Sequence, residues 1–287
     1  MFGIVLTAGA AFVEEISVSV GKWETARGKE SVLSLGFLSY FWTTLFLLAF
    51  AFLIPKDFFA PGFPSGFVFS TASLPTFLPR VGLEILQALA GAYAIVRADR
   101  STSGFLHTIT IPLLLATDVA LSYSVSLPQI AGMSLIIASL ILIFINHGIR
   151  REGAWLVVFT AVNAVATISL FKYDVTNFNS VEAEQGIVCF VLVIFFFIMA
   201  LARAKENPLR LLAHPIFFTQ SFLMGVGSSV MGFAYFFGTA SVIAAAKRAL
   251  NIFFAMISGN LYFHEKKLWV KVVSFLLILL GLALLAG

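Results

Sequence analysis

The chain has 287 residues, 60% of them hydrophobic and only 11% charged, with 32 Phe against 14 Asp and Glu, a mean hydropathy of +1.00 and a formal charge of +4. A soluble domain needs roughly a quarter of its residues charged to cover its surface, so this composition excludes one and fits lipid as the solvent. The positive balance does not point to nucleic acid, because in such a chain Lys and Arg report which loops face the cytoplasm. A single cysteine, Cys189, excludes an internal disulfide and a cysteine-based metal site.

Apolar runs of about 20 residues, the length that crosses a bilayer as a helix, predict ten spans. They cover residues 2–21, 33–54, 77–96, 103–122, 127–146, 153–171, 185–202, 217–238, 241–262 and 269–286. The first run lacks a basic start and a small-x-small cleavage context and carries Glu14 and Glu15 in its middle, so it reads as a span and not as a removable signal. On a helical wheel Val5, Phe12, Val13, Ile16, Val20 and Trp23 form a lipid face. Glu14, Glu15, Thr7 and Ser17 lie with small residues on the opposite arc. Ionisable groups within a bilayer cost several kcal/mol unless paired or hydrated, so Glu14 and Glu15 are candidates for substrate binding or coupling. A salt bridge with Lys22 is the structural alternative.

The connection from Pro55 to Thr76 is rich in Pro, Gly, Phe and Ser and is expected along the membrane interface, anchored by Phe58, Phe59, Phe63 and Phe67. In the third span Arg80, Glu84 and Gln87 share a face. Arg80 and Glu84 have the i, i+4 spacing of an ion pair, and Glu84 and Gln87 are expected to line a central cavity. His107 and Asp118 share a face of the fourth span and read as structural. In the sixth, Asn163 with Thr160 and Thr167 lines a pocket or makes an interhelical hydrogen bond. The eighth presents Gly225-x-x-x-Ser229 and Ser228-x-x-x-Gly232, spacings that allow close helix approach, and Tyr235 as a pocket residue. In the ninth, Lys247, Asn251, Ser258 and Tyr262 form one stripe with Arg248 at its edge. The basic pair either binds a carboxylate or phosphate or snorkels to the membrane surface.

A shift of 150 residues places Ser19, Lys22, Trp23 and Gly36 on Ser169, Lys172, Tyr173 and Gly186. With five spans per half, an odd number, a duplicated unit must sit upside down relative to its partner. The expected fold is therefore an all-α integral membrane protein of ten transmembrane helices in two inverted five-helix repeats, residues 1–150 and 151–287. Transporters built this way bind substrate between the repeats near the midplane.

The stretch from Ala244 through Lys247-Arg248, Gly259 and Glu265 to Ser274 and Gly281 resembles the end of an EamA repeat of the drug/metabolite transporter superfamily. The first half repeats it more loosely through Pro112, Ser126-Leu127 and Gly132 to Leu140, with Tyr123 in place of the Glu and Thr117 opposite Gly259. The resemblance spans the whole chain and implies a multi-pass inner-membrane carrier. It would move a small polar metabolite or drug-like solute by alternating access, with spans five and ten peripheral. It leaves the substrate open. Proton coupling through Glu14, Glu15 or Glu84 and exchange without protons both fit the sequence. The alternative class is a membrane-embedded enzyme or sensor. His264-Glu265-Lys266-Lys267-Leu268 lacks the second His of a zinc protease motif, however, and Gly132-Met133-Ser134-Leu135 lacks the final Gly of an intramembrane serine protease. No metal cluster or cofactor motif is present in the sequence, and the expected partners are a small-molecule substrate, the lipid bilayer and protons.

Thirteen of the 18 Lys and Arg residues follow the odd-numbered spans, which makes that face cytoplasmic and puts both termini outside. The family resemblance implies both inside. Either way an even number of spans puts the ends together, so cysteines introduced at the two ends are expected to react with an impermeant thiol reagent from the same face. Labelling from opposite faces contradicts ten spans.

Overall fold

A computed structural model of the chain describes residues 2–26, 31–53, 66–98, 106–147, 153–263 and 268–286. For 22–23, 25–26, 252–253, 255–263 and 268–272, and a few other helix positions, it describes the backbone alone. Among the described residues the chain is helical, with no strand. The helices are α1 (Phe2–Ala26), α2 (Val32–Leu53), α3 (Leu74–Arg97), α4 (Thr110–Ala120), α5 (Leu127–His147), α6 (Ala154–Asn177), α7 (Val181–Met199), the short α8 (Pro208–Leu212), α9 (Pro215–Phe236), α10 (Ala240–Phe263) and α11 (Leu268–Ala286). Five segments, Phe2–Gly21, Val32–Leu53, Ala154–Asn177, Val181–Ala204 and Pro215–Phe236, are long and apolar enough to cross a membrane.

Local chemistry sets the helix ends. Ser180 caps α7 by accepting from the Ala183 N–H at 3.2 Å, and Glu182 and Glu184 occupy its first turn, where carboxylates meet the positive end of the helix dipole. That cap starts the helix at Val181, four residues before the onset expected from the apolar run alone. The helix ends in a π turn, Ala200–Ala204, closed by Lys205 in the left-handed region (φ 57°). Asn207 caps α8 through the Leu209 N–H at 3.1 Å. The sixth span runs six residues past its predicted end because Lys172 and Asp174 are buried by interactions with other helices. In the long connection Phe67 stacks on Phe52, with centroids 5.7 Å apart, while Phe58, Phe59 and Phe63 lie outside the described residues.

The helices pack in pairs: α1 on α9, α2 on α7, α3 on α6, α5 on α11, with α10 against α1 and α4. The pair α5–α11 meets the remaining helices chiefly through α10. Close approach depends on glycine. A Cβ on Gly227 would lie 2.6 Å from Glu14 Cγ and 3.0 Å from the Ala10 carbonyl, and one on Gly132 would lie 2.7 Å from the Gly281 carbonyl. Gly132 is near the start of α5 and Gly281 near the end of α11, so these helices run antiparallel. Gly3, near the start of α1, lies against the end of α9, and Asp118 at the end of α4 binds the start of α10. The start of α1 and the end of α11 therefore share one end of the bundle.

Polar and apolar groups are distributed as lipid requires. Phe52, Leu53, Leu127, Ile145 and Trp155 are exposed, whereas Glu14, Arg80, Asp118, Asp174, Glu182 and Glu184 are buried. On α1, Val5, Phe12 and Ile16 face outward while Thr7, Ala10, Ala11, Glu14 and Ser17 are buried, as the helical wheel predicts. Gly132→Ala is expected to force α5 and α11 apart and cost about 1–3 kcal/mol, as overpacking of a tight contact does. Thermal unfolding in detergent measures it, and an unchanged melting temperature contradicts the close crossing.

Candidate functional site

Twelve residues into α1, near its middle, the Glu14 Oε2 atom is 2.7 Å from Lys247 Nζ of α10. The other carboxylate oxygen accepts a long hydrogen bond, 3.5 Å, from Ser228 of α9. Three helices thus converge on one carboxylate, and Gly227 makes the room for it. Lys247 keeps 23% side-chain exposure and Glu14 keeps 11%, so the pair is not fully enclosed by the helices. The partner of Glu14 among the described side chains is this lysine on the opposite half of the chain; the Lys22 side chain lies outside them. Glu15 is half-buried, about 100° around α1 from Glu14.

Arg248 is next to this pair. It is within electrostatic reach of Glu14 and of the buried Tyr235 hydroxyl, yet among the described residues it has no hydrogen-bond or ion-pair partner. His107, ahead of α4, feels the charge of both Lys247 and Arg248, and its Nδ1 is buried and without a partner among the described residues. The buried Oδ1 of Asn251, one turn along α10 from Lys247, is also without one. Tyr40 of α2 lies within reach of Glu14 and Glu84. Glu14, Tyr235, Lys247, Arg248 and Asn251, named from sequence, therefore lie near one another inside the bundle. His107 and Tyr40 join them; their signal, a polar group on an apolar helix, was weak beside that of paired charges. The side chains of Ser258 and Tyr262 lie outside the described residues.

A second cluster holds the remaining residues. Arg80, only 1% exposed, donates from Nη1 to Glu184 Oε1 at 2.6 Å and from Nη2 to Gln185 Oε1 at 2.5 Å, and its guanidinium lies 4.6 Å over the Phe171 ring. Glu84 is 3.8 Å away, so the expected i, i+4 pair is subordinate to the cross-helix bond. A planar guanidinium reaches two partners on the facing helix better than one a turn along its own. Glu184 also accepts from Asn179 Nδ2 at 2.5 Å, Asn179 donates to Ser73 at 2.9 Å, and Thr76 donates to Asp174 at 2.5 Å. The network ties the start of α3 to the end of α6 and the start of α7. Gln87 accepts from Asn163 Nδ2 at 2.9 Å and from Thr167 at 3.3 Å. These side chains form an interhelical contact between α3 and α6.

Two further buried groups close helix ends. Lys172 donates to the Tyr235 and Phe236 carbonyls at 2.9 and 3.1 Å, answering the negative end of α9. Asp118 Oδ2 accepts from the Ser241 N–H at 2.7 Å, at the positive end of α10. Asp118 is structural, as expected from sequence. Glu184 and Lys172 were missed as interior groups because both fall at the edges of apolar runs; Ser180 followed by two acids is the capping signal that places Glu184 inside a helix.

Removing one partner of a buried ion pair leaves the other uncompensated, at a cost of about 3–5 kcal/mol. Arg80→Gln is expected to lower thermal stability on that scale, with Arg80→Lys recovering only part because an ammonium cannot form the same fork. Wild-type melting in Arg80→Gln contradicts the central role of this pair.

No protein-family model matches the chain, and no curated protein does. A solved structure described only as "Crystal structure of protein" is similar with a TM-score of 0.66 over 96% of this chain and 98% of that one, at 12% identity. A likeness at that identity shows a shared fold and carries no function.

Proposed function

We propose that the protein is a multi-pass inner-membrane carrier, resembling EamA-type transporters, that moves a small polar solute by alternating access between two inverted five-helix repeats. The observation that carries this reading is the Glu14–Lys247 pair with unpartnered Arg248 beside it, in the interior of a bundle whose exterior is apolar. A purely structural interior would leave no cation unanswered. Reciprocal packing of the halves supports the repeat. The contact of α1 with α9 is matched by that of α6 with α3, α2 with α9 by α7 with α3, and α1 with α10 by α6 with α4. The pairs α2–α7, α4–α10 and α5–α11 each join corresponding helices.

Because Glu14 answers Lys247, the net positive charge of the space rests on Arg248, which favours a solute carrying a carboxylate or phosphate. A guanidinium presents two parallel donors to either group. Glu14 is the group best placed to exchange a proton during the cycle, since its loss of charge releases Lys247.

A thermal-shift screen of the purified protein against pools of small metabolites is expected to find anionic stabilisers, because a ligand that binds only the folded state raises its melting temperature. In Arg248→Gln the affinity is expected to fall by the about 1.5–3 kcal/mol of a charge-assisted contact. A ligand that stabilises the variant as well as the wild type, or a set of hits that is entirely cationic, contradicts this assignment.

A further inference from the structure

On the lipid-facing side of α3 and α6 lies an apolar groove of about 240 Å³, lined by Leu86, Leu89 and Tyr93 from α3 and by Trp155 and Phe159 from α6. It carries no polar surface, and its lining includes none of the residues around Glu14 and Lys247. Its upper end is different. Arg97, in the last turn of α3, is exposed and stacks 5.4 Å from the centre of the Tyr93 ring, so the groove wall itself aims the guanidinium. Among the described residues no carboxylate pairs with it.

The start of α6 is held against the same point. Gly153 adopts φ +72°, and a Cβ there would lie 2.8 Å from the Ala98 nitrogen and 3.0 Å from the Arg97 carbonyl carbon, so only glycine lets the two backbones meet. As the N-cap, Gly153 brings no side-chain acceptor, and the first turn of α6 contains no acid. The positive end of that helix and Arg97 therefore stand together at the mouth of an apolar trough. In sequence the neighbourhood is basic on balance: Arg97, Arg100, Arg150 and Arg151 stand against Asp99 and Glu152.

We propose that this groove binds an anionic phospholipid, its acyl chain along Leu86, Leu89, Trp155 and Phe159 and its headgroup phosphate at Arg97. An apolar trough suits a hydrocarbon chain, and an exposed cation at its mouth that no carboxylate among the described residues pairs with suits an anion. Basic sites between membrane helices on the face richer in Lys and Arg recognise lipid headgroups in this way. The site is independent of any transported solute.

Trp155, 69% exposed in the groove, is a built-in probe. The protein is reconstituted in phosphatidylcholine vesicles containing a minor fraction of brominated phosphatidylglycerol, or the same fraction of brominated phosphatidylcholine, and the quenching that Trp155→Phe removes is assigned to Trp155. Brominated phosphatidylglycerol is expected to quench Trp155 with a roughly fivefold preference over brominated phosphatidylcholine, the factor one basic residue contributes near an anionic headgroup. In Arg97→Gln the two lipids are expected to quench alike, while Arg97→Lys keeps most of the preference. Equal quenching in the wild type, or a preference that survives Arg97→Gln unchanged, overturns the assignment. Because Arg97 is exposed, the variant's melting temperature is expected to stay near that of the wild type in detergent, and a large drop would attribute the lost preference to unfolding and overturn the headgroup contact.

Discussion

A charge cannot stand alone in hydrocarbon, and the arrangement of these helices follows from where each buried charge finds its opposite. Desolvating an ion costs several kcal/mol, so Arg80 draws Glu184 and Gln185 from the neighbouring helix, Lys172 draws the terminal carbonyls of α9, and Asp118 draws the first amides of α10. Each contact joins helices far apart in sequence, and each fixes depth as well as proximity. Apolar packing alone cannot do this, because lipid tails are as apolar as Leu and give no driving force between helices. Glycines supply the complementary constraint: Gly227, Gly225, Gly132 and Gly281 each stand where a side chain would collide with the facing helix.

Glu14–Lys247 and Arg248 are the exception that gives the interior its chemistry. The Arg80 cluster joins side chains on three elements through short bonds and holds them together, with only Arg80 Nε and Asp174 Oδ2 left without a partner among its described atoms. Around Glu14 a whole cation is left over: the pair retains exposure, and Arg248, with His107 Nδ1 and Asn251 Oδ1, presents groups that no described residue answers. An unanswered cation inside the bundle is capacity for a ligand, and it sets the sign of the ligand's charge.

Much of this was legible in the sequence. Apolar run length placed a helix in each of the ten runs, five of them with segments long and apolar enough to cross a membrane, whereas the fourth run, read as 103–122, forms an α-helix only over Thr110–Ala120 among its described residues. The wheel of α1 identified its buried arc, since lipid exposure admits only apolar side chains there. What hydropathy could not reveal was pairing. The i, i+4 rule favoured Glu84 for Arg80, and the only partner that sequence offered for Glu14 was Lys22 as an alternative, yet both have principal partners across helix interfaces, Glu184 and Lys247. Partner choice between helices depends on relative depth and rotation, which no single helix encodes. Hydropathy also misplaced the start of α7, because a capping serine and two first-turn acids lower the apparent hydropathy of residues that are nonetheless helical and buried.

The central claim is that the space beside Glu14 opens to each side of the membrane in turn. Ser228, half-buried and bonded to Glu14, is the position to test it. With Cys189 replaced by Ser, a single cysteine at position 228 is challenged in sealed, uniformly oriented vesicles with a membrane-impermeant thiol reagent added to one face and then, in a separate sample, to the other. Alternating access predicts reaction from both faces, each slowed by a bound ligand. Reaction from one face alone, or from neither, contradicts it.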